Sequence, residues 1–303
     1  MIYLDSFSLP GRAKEEDIYN PKSRYYLPKT KMTAYTTKYP FGVFRERDVP
    51  TLVFEDITVF CGSNGSGKST ILNVIAEKLR LQRGCLYNRS DFFEDYTNLC
   101  EYSLRRGVDE LPRDSAIVTS DDVFEMMQDT RHLNDGIDRR REELVREYVE
   151  NRGIEPGDER LALHGLEDYD RYKRLHQMRS KSDTRSNFLR RELMGNVQER
   201  SNGESALSFF VEKIKDNALY LLDEPENSLS PANQIRLKYF LEDCARRHGC
   251  QFILSTHSPF MLSLSHAKIY DLDEDPPCEK VWTELENVRV YREFFLEHES
   301  EFE

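Results

Sequence analysis

The run Gly62-Ser63-Asn64-Gly65-Ser66-Gly67-Lys68-Ser69-Thr70 satisfies G-x-x-x-x-G-K-[ST] and is the densest chemical signal in the chain. Glycines at this spacing let backbone N–H groups converge on phosphate oxygens without side-chain obstruction, and a following helix adds its N-terminal dipole. In that chemistry Lys68 reaches the β- and γ-phosphates, Ser69 offers a hydroxyl to Mg²⁺, and Thr70 hydrogen-bonds a phosphate. Context agrees: the apolar run ITVF precedes the loop, and Ile71, Leu72, Val74, Ile75 and Leu79 follow at helical spacing. Far downstream, Ala218–Leu222 ends in Asp223-Glu224-Pro225. A carboxylate at the end of a buried strand can hold Mg²⁺, and its neighbour Glu224 can take a proton from an attacking water. Alone, Asp-Glu-Pro also fits a surface turn. Beside a phosphate loop, the catalytic reading prevails.

These groups need a frame that brings distant segments together. Short apolar runs at Thr51–Phe54, Ile57–Phe60, Ala116–Thr119, Ala218–Leu222, Phe252–Ser255 and Lys268–Leu272 read as buried strands. Interleaved with helical patterns, they predict an α/β fold with a largely parallel sheet covered on both faces. Between 123 and 200 the sequence becomes charged and helix-prone, with Ile137, Leu144, Val145, Tyr148 and Val149 and then Phe188, Leu189, Leu193, Met194 and Val197 recurring at helical spacing. The expected organisation is a nucleotide-binding lobe over 1–122, an inserted helical lobe over 123–200, a return to the nucleotide-binding lobe over 201–275, and an acidic C-terminal helix within 276–303. That last helix is expected over Glu284–Glu297, with Leu285, Val288, Tyr291 and Phe295 facing inward. The polar, tyrosine-rich segment before residue 50 has no assigned structure at this level.

Composition narrows the function classes. The 303 residues include 38% hydrophobic residues, 17 Phe and 16 Tyr, which marks a folded chain. A net charge of −12 argues against indiscriminate coating of nucleic acid. The charge is uneven: 171–191 carries a local balance of +7, whereas 273–303 carries −8. The basic run is either a solvated helical face or a nucleic-acid contact. Six dispersed cysteines without a C-x-x-C pair fit a reducing cytosol, and no stretch approaches 18 apolar residues. A soluble, cytoplasmic protein without membrane insertion is therefore expected.

Taken in order, the motifs resemble those of the ABC-type ATPase family, within it the soluble heads of RecF-like and chromosome-maintenance proteins. After the phosphate loop, Ser201-Asn202-Gly203-Glu204-Ser205 looks like the signature L-S-G-G-Q/E, and Ser255-Thr256-His257-Ser258-Pro259 looks like the switch-histidine segment. The same five signature residues also make a sound capping box, with Ser201 at the N-cap and Glu204 at N3. The resemblance implies a P-loop ATPase head that binds ATP and Mg²⁺ and forms a head-to-tail homodimer. Ser201, Gly203 and Glu204 of one copy would then complete the site built by Gly62, Asn64, Gly65, Ser66, Gly67, Lys68, Ser69 and Thr70 of the other. It further implies that Glu224 is the general base, that His257 positions it and the water, and that Asp223 joins Ser69 at the metal. Asp122, after the Ala116–Thr119 strand, stands where the family's glutamine-bearing loop would be and is a further metal candidate. Ser230 replaces the aspartate that usually ends the family's interface loop. Tyr39, Phe41 and Phe44 are alternatives for stacking on adenine. Only 133 residues separate Lys68 from Ser201, so two antiparallel arms could reach a few tens of ångströms, roughly, and a compact lobe is expected rather than a long coiled coil. By analogy with stand-alone family members, the ATP-bound dimer would switch an effector protein or a nucleic acid, in antiphage defence or DNA repair. A transporter ATPase subunit and a non-hydrolysing ATP-binding scaffold are the competing readings.

Overall fold

The computed structural model describes residues 1–152, 193, 202–227 and 229–302, with no account of the side chains at 148–152, 202 and 203. The chain divides into two compact units, one of 1–124 with 201–303 and one of 125–200. In the first, β3 (Ile57–Cys61), β7 (Leu219–Asp223) and β8 (Gln251–Ser255) are apolar along almost their whole length and buried on both faces. Such strands suit the centre of a parallel sheet. They are joined by β4 (Gln82–Arg83), β6 (Ala116–Thr119), β9 (Lys268–Asp271) and β10 (Cys278–Glu279). The seven-stranded order is β10-β9-β3-β8-β7-β6-β4, parallel throughout except for the β10 edge. The fold is α/β with a mostly parallel sheet, as the sequence predicts.

Helix α2 (Lys68–Leu79) leaves the phosphate loop and lies on this sheet through Ile71, Leu72, Val74 and Ile75, each fully buried. Burial of side chains this size stabilises by about 1.5–3 kcal/mol apiece, which fixes the helix start beneath the loop. The unassigned N-terminal region also takes shape. Strand β1 (Leu4–Ser8) pairs antiparallel with β2 (Leu52–Val53) and with β5 (Glu101–Leu104), making a separate three-stranded sheet. Thr51–Phe54 therefore does not join the parallel sheet: Leu52 and Phe54 turn into the core while Val53 faces solvent, the alternation of a one-sided antiparallel strand. Leu4, Phe7 and Leu52 share a core with Phe60, Ile75, Phe93 and Tyr96. The buried Gln251 side chain ties the two sheets, accepting from Tyr3 N (2.8 Å) and Leu4 N (2.9 Å) and donating to Leu4 O (2.9 Å).

Three further helices matter to the site: α5 (Asn202–Lys213), α6 (Pro231–Arg247) and α7 (Pro259–Leu262). Ser230 N-caps α6 by accepting from Asn233 N, and Ser258 caps α7. The last helix, α8 (Glu286–Glu297), is shorter than the expected 284–297, because Trp282–Glu284 forms a 3₁₀ turn before it. Leu285 and Val288 are buried, but Tyr291 and Phe295 are 49% and 53% exposed, contrary to the inward-facing pattern expected of them. Two anchoring residues hold the start of α8, and the large apolar side chains of its later turns stand about half exposed.

Helix α4 (Ser120–Arg152) runs from the first unit into the second. Its second-unit portion carries ion pairs at helical spacing, Arg139 with Asp135 at 2.8 Å and Arg140 with Glu143 at 2.8 Å, as a solvated helix face does. The basic run 171–191 lies outside the described residues.

Candidate nucleotide site at the strand ends

The sheet delivers its chemistry at one edge. The phosphate loop follows β3, Asp223 ends β7, the Ser255–Ser258 segment follows β8, and Asp271 ends β9. All four are carboxyl ends of parallel strands, and β3 lies between β8 and β9 in the sheet. Open α/β sheets bind ligands at this edge.

Within the loop, Gly65 and Gly67 adopt φ of +85° and +103°, and a Cβ on Gly67 would come within 2.6 Å of the buried Phe44 ring. Only glycine passes there. A Cβ on Gly62 would meet Ser66 Oγ at 2.6 Å. Lys68 is 5% exposed, and its Nζ donates to Gly62 O (2.9 Å) and Ser63 O (3.0 Å), so the ammonium lies within the curl of the loop. Burial pulls its pKa below the usual lysine value, opposed by the nearby Glu224, Asp273 and Asp223 carboxylates. Tyr39 Oη donates to Thr70 Oγ1 at 3.0 Å. Asn64 and Gly65 stand exposed at the crest of the loop.

Ser69 at the start of α2 donates to Asp223 Oδ1 at 3.0 Å, joining the loop to the end of β7. Ser255, one strand over, donates to the same oxygen. Burial pushes the Asp223 carboxyl above its ordinary value, and these two hydroxyls pull the other way. Glu224 has φ of +49°, a left-handed conformation that costs a non-glycine residue about 1 kcal/mol or more. Its N–H donates to Ser255 O (3.1 Å) and its Oε2 accepts from Asn227 Nδ2 (2.9 Å), which hold it there. His257 Nε2 lies 3.5 Å from Glu224 Oε1. Burial, and then Lys68, lower the His257 pKa, so the imidazole is neutral at pH 7.

Four residues that the sequence reading missed brace this arrangement. Asp273, two residues past β9, accepts from Ser63 N (2.7 Å) and Ser63 Oγ (2.7 Å) and so clamps the loop. Arg47 donates to Ser66 O (3.0 Å) and Leu272 O (2.8 Å), crossing the same gap from the N-terminal region. Buried Glu226 accepts from Thr256 Oγ1 (2.6 Å), His257 N (2.8 Å) and Ser258 N (3.2 Å), which sets the histidine's backbone. Ser255 is the fourth, through the contacts already given. Asp273 and Glu226 had a local signal, a carboxylate within four residues of a strand end, but their partners lie 210 and about 30 positions away.

Other predicted residues fall elsewhere. Asp122 takes part in local structure: Oδ2 accepts from Thr119 N (2.7 Å) and Thr119 Oγ1 (2.8 Å), and Oδ1 accepts from Cys85 N (2.9 Å). Its carboxylate fastens the start of α4 to the neighbouring loop, as acids in a first helical turn commonly do. Gly203 and Glu204 occupy the first turn of α5, Glu204 exposed. Ser201 lies outside the described residues. Of the aromatic alternatives, Phe44 is buried beneath Gly67, Phe41 packs edge-on against Tyr96, and Tyr39 bonds Thr70.

The donor set fits a nucleoside triphosphate with Mg²⁺. Ser66 Oγ and His257 Nε2 are buried polar atoms without a hydrogen-bond partner, and both belong to segments that flank Lys68. The Ser69 hydroxyl and Asp223 carboxylate are hard oxygen ligands, the pair Mg²⁺ takes when phosphates and water complete its shell. Among the described residues no group of three or more His, Cys, Asp or Glu could hold a metal.

The family model described as ABC transporter matches residues 51–227, more than half of the chain. A second, for the AAA domain of AbiEii-toxin and type IV toxin–antitoxin systems, matches residues 195–263. No curated protein matches the sequence. Among solved structures, the chain is similar to the Smc head domain with an extended coiled coil from Pyrococcus furiosus, bound to the C-terminal domain of ScpA (16% identity, 97% of this chain and 100% of that one, TM-score 0.44). It is also similar to an ATP-binding cassette in a dimeric post-hydrolysis state with ADP and Pi (16%, 77% and 88%, 0.35). A third similarity is to the SMC head domain from Thermotoga maritima (14%, 76% and 92%, 0.32). No helix among the described residues is long and apolar enough to cross a membrane.

Proposed function

The chain belongs to the ABC-type ATPase family, and from that premise we propose that it binds Mg-ATP, dimerises head to tail around it, and hydrolyses it to switch an effector interaction. The observation that carries this reading is the convergence of Lys68, Ser69, Asp223, Glu224 and His257 on one sheet edge from three separate strands. The bound metal would neutralise charge on the phosphate oxygens as the terminal phosphoryl group departs. Lys68 neutralises the same region from within the loop, and the loop amides orient the phosphates. Glu224 takes the proton of the attacking water, and the neutral His257 beside it keeps that carboxylate aimed and can donate to a phosphate oxygen through Nε2.

Gly203 and Glu204 lie at a helix N-terminus, where backbone N–H groups suit an anionic group presented by a second copy. Ser201 would join them, so each nucleotide would be shared by two chains. A role in defence or repair rests on the family resemblance, and any nucleic-acid contact of the 171–191 run rests on its local charge of +7.

The test is Glu224→Gln, a nearly isosteric change that removes only the base. Phosphate release falls by at least about a hundredfold, ATP remains bound, and sedimentation with Mg-ATP shows a doubled mass. A variant that hydrolyses like the parent would remove Glu224 from the mechanism. A parent that never turns over would leave the ATP-binding scaffold as the better description.

A further inference from the structure

Helix α8 presents a run of partly exposed apolar side chains. Val290, Tyr291, Phe294, Phe295 and Leu296 are each about half exposed, and Phe302 beyond the helix is 72% exposed. The rings cluster among themselves: Phe294 and Phe295 centroids lie 5.6 Å apart, and Phe295 and Phe302 6.2 Å. Scattered exposed apolar residues are ordinary, but a contiguous aromatic patch on one short helix is a hallmark of recognition. Aromatic residues also dominate the energetics of interfaces.

The surroundings of the patch specify its partner. Residues 273–303 hold eleven acids against three bases. Glu293, Glu297, Glu299 and Glu301 lie on or just beyond this helix and are exposed, outnumbering the exposed Arg289 and Arg292 on it. A second α8 packing on this face would set two such acidic segments against each other, and an anionic membrane or a nucleic-acid backbone would meet the same repulsion. An apolar segment flanked by lysine or arginine satisfies both the rings and the rim.

The patch also continues into the nucleotide site. Asn287 Nδ2 donates to His257 O at 3.3 Å. A groove of about 890 Å³ runs between the base of the helix and the loop, lined by Gly62, Ser63, His257, Asn287, Val290 and Tyr291. We propose that α8 is the docking surface for a protein partner that offers an amphipathic segment, apolar on one face and basic along its flanks. A partner seated on Tyr291 and Phe295 would press on the helix that holds the His257 backbone, so docking and nucleotide state would be coupled. Docking itself needs neither ATP nor hydrolysis, and it stands or falls separately from the proposed catalytic reading.

The test uses the full chain and two synthetic helical peptides of about twenty residues with the same Leu/Phe face, one with Lys and Arg on the polar face and one with Glu. Binding is followed by calorimetry without nucleotide. The basic peptide binds, 0.5 M salt weakens it, and the Phe294→Ala/Phe295→Ala variant loses about tenfold or more in affinity with an unchanged melting temperature. Equal binding of both peptides, no binding, or binding unaffected by the double variant would overturn the proposal. So would sedimentation showing a nucleotide-free dimer that the double variant dissolves, since a second copy would then be the occupant.

Discussion

The carboxyl edge of the parallel sheet and helix α8 lie next to each other yet are built on opposite principles. At the sheet edge the reactive groups are held by several partners: Asp223 by two hydroxyls, Glu224 by Ser255 and Asn227, the His257 backbone by Glu226, and the loop by Asp273 and Arg47. Helix α8 carries large side chains and is held by Leu285, Val288 and one bond from Asn287. Catalysis needs groups fixed before substrate arrives, and a docking surface needs groups left for another molecule. The two regions show both solutions within one unit of the fold.

Variants at the sheet edge should therefore change chemistry, and variants on α8 should not. The largest expected effect is that of Asp223→Asn, which keeps the acceptor for Ser69 and Ser255 and removes the charge that would hold Mg²⁺. Hydrolysis drops by about a thousandfold. Burial raises the Asp223 pKa, so the folded state takes up a proton more readily than the unfolded chain. The ionised carboxylate therefore costs stability at neutral pH, a cost that disappears as pH falls through the folded-state pKa. Nucleotide-free Asp223→Asn should melt a few degrees, roughly, above the parent at pH 7, with the gap narrowing as the buffer is acidified. A variant that melts lower at pH 7 would contradict this. A smaller effect is expected at Asp273→Asn, which keeps an acceptor for Ser63 but takes a negative charge from beside the loop. Titration with a fluorescent ATP analogue should show binding tighter by about two- to fivefold, within roughly 1 kcal/mol. Weaker binding would mean that the clamp matters more than the repulsion. Smallest of all, Phe294→Ala/Phe295→Ala should leave basal hydrolysis within about twofold, as expected for exposed residues without catalytic contact.

Much of this contrast was legible in the sequence, and the missing part has physical causes. Gly62–Thr70 and Asp223-Glu224 are read locally, because the phosphate cradle and the strand-end carboxylates need fixed residue types at fixed spacing. The central strands are equally legible, since two-sided burial demands unbroken apolar runs. The braces are not. Asp273 reaches Ser63 only because β9 pairs with β3, and Gln251 reaches Leu4 across 247 positions. The three bonds that Asp122 accepts at the start of α4 are likewise invisible in its position along the chain. In α8 the helical period is visible in Leu285, Val288, Tyr291 and Phe295, but a period says which residues share a face and not whether anything covers it. The antiparallel sheet of β1, β2 and β5 was hidden because its strands are short and its partners lie up to 100 residues apart.

The central claim is that each ATP is hydrolysed at a site shared by two copies. It can be tested by mixing two inactive chains, Glu224→Gln and Gly203→Asp, with Mg-ATP and measuring phosphate release. Each variant alone should be silent. With random assortment half the dimers are mixed, and one of their two sites then pairs an intact Glu224 with an intact signature helix, so the mixture should regain about a quarter of the parental rate. A mixture as silent as its components would contradict the shared site.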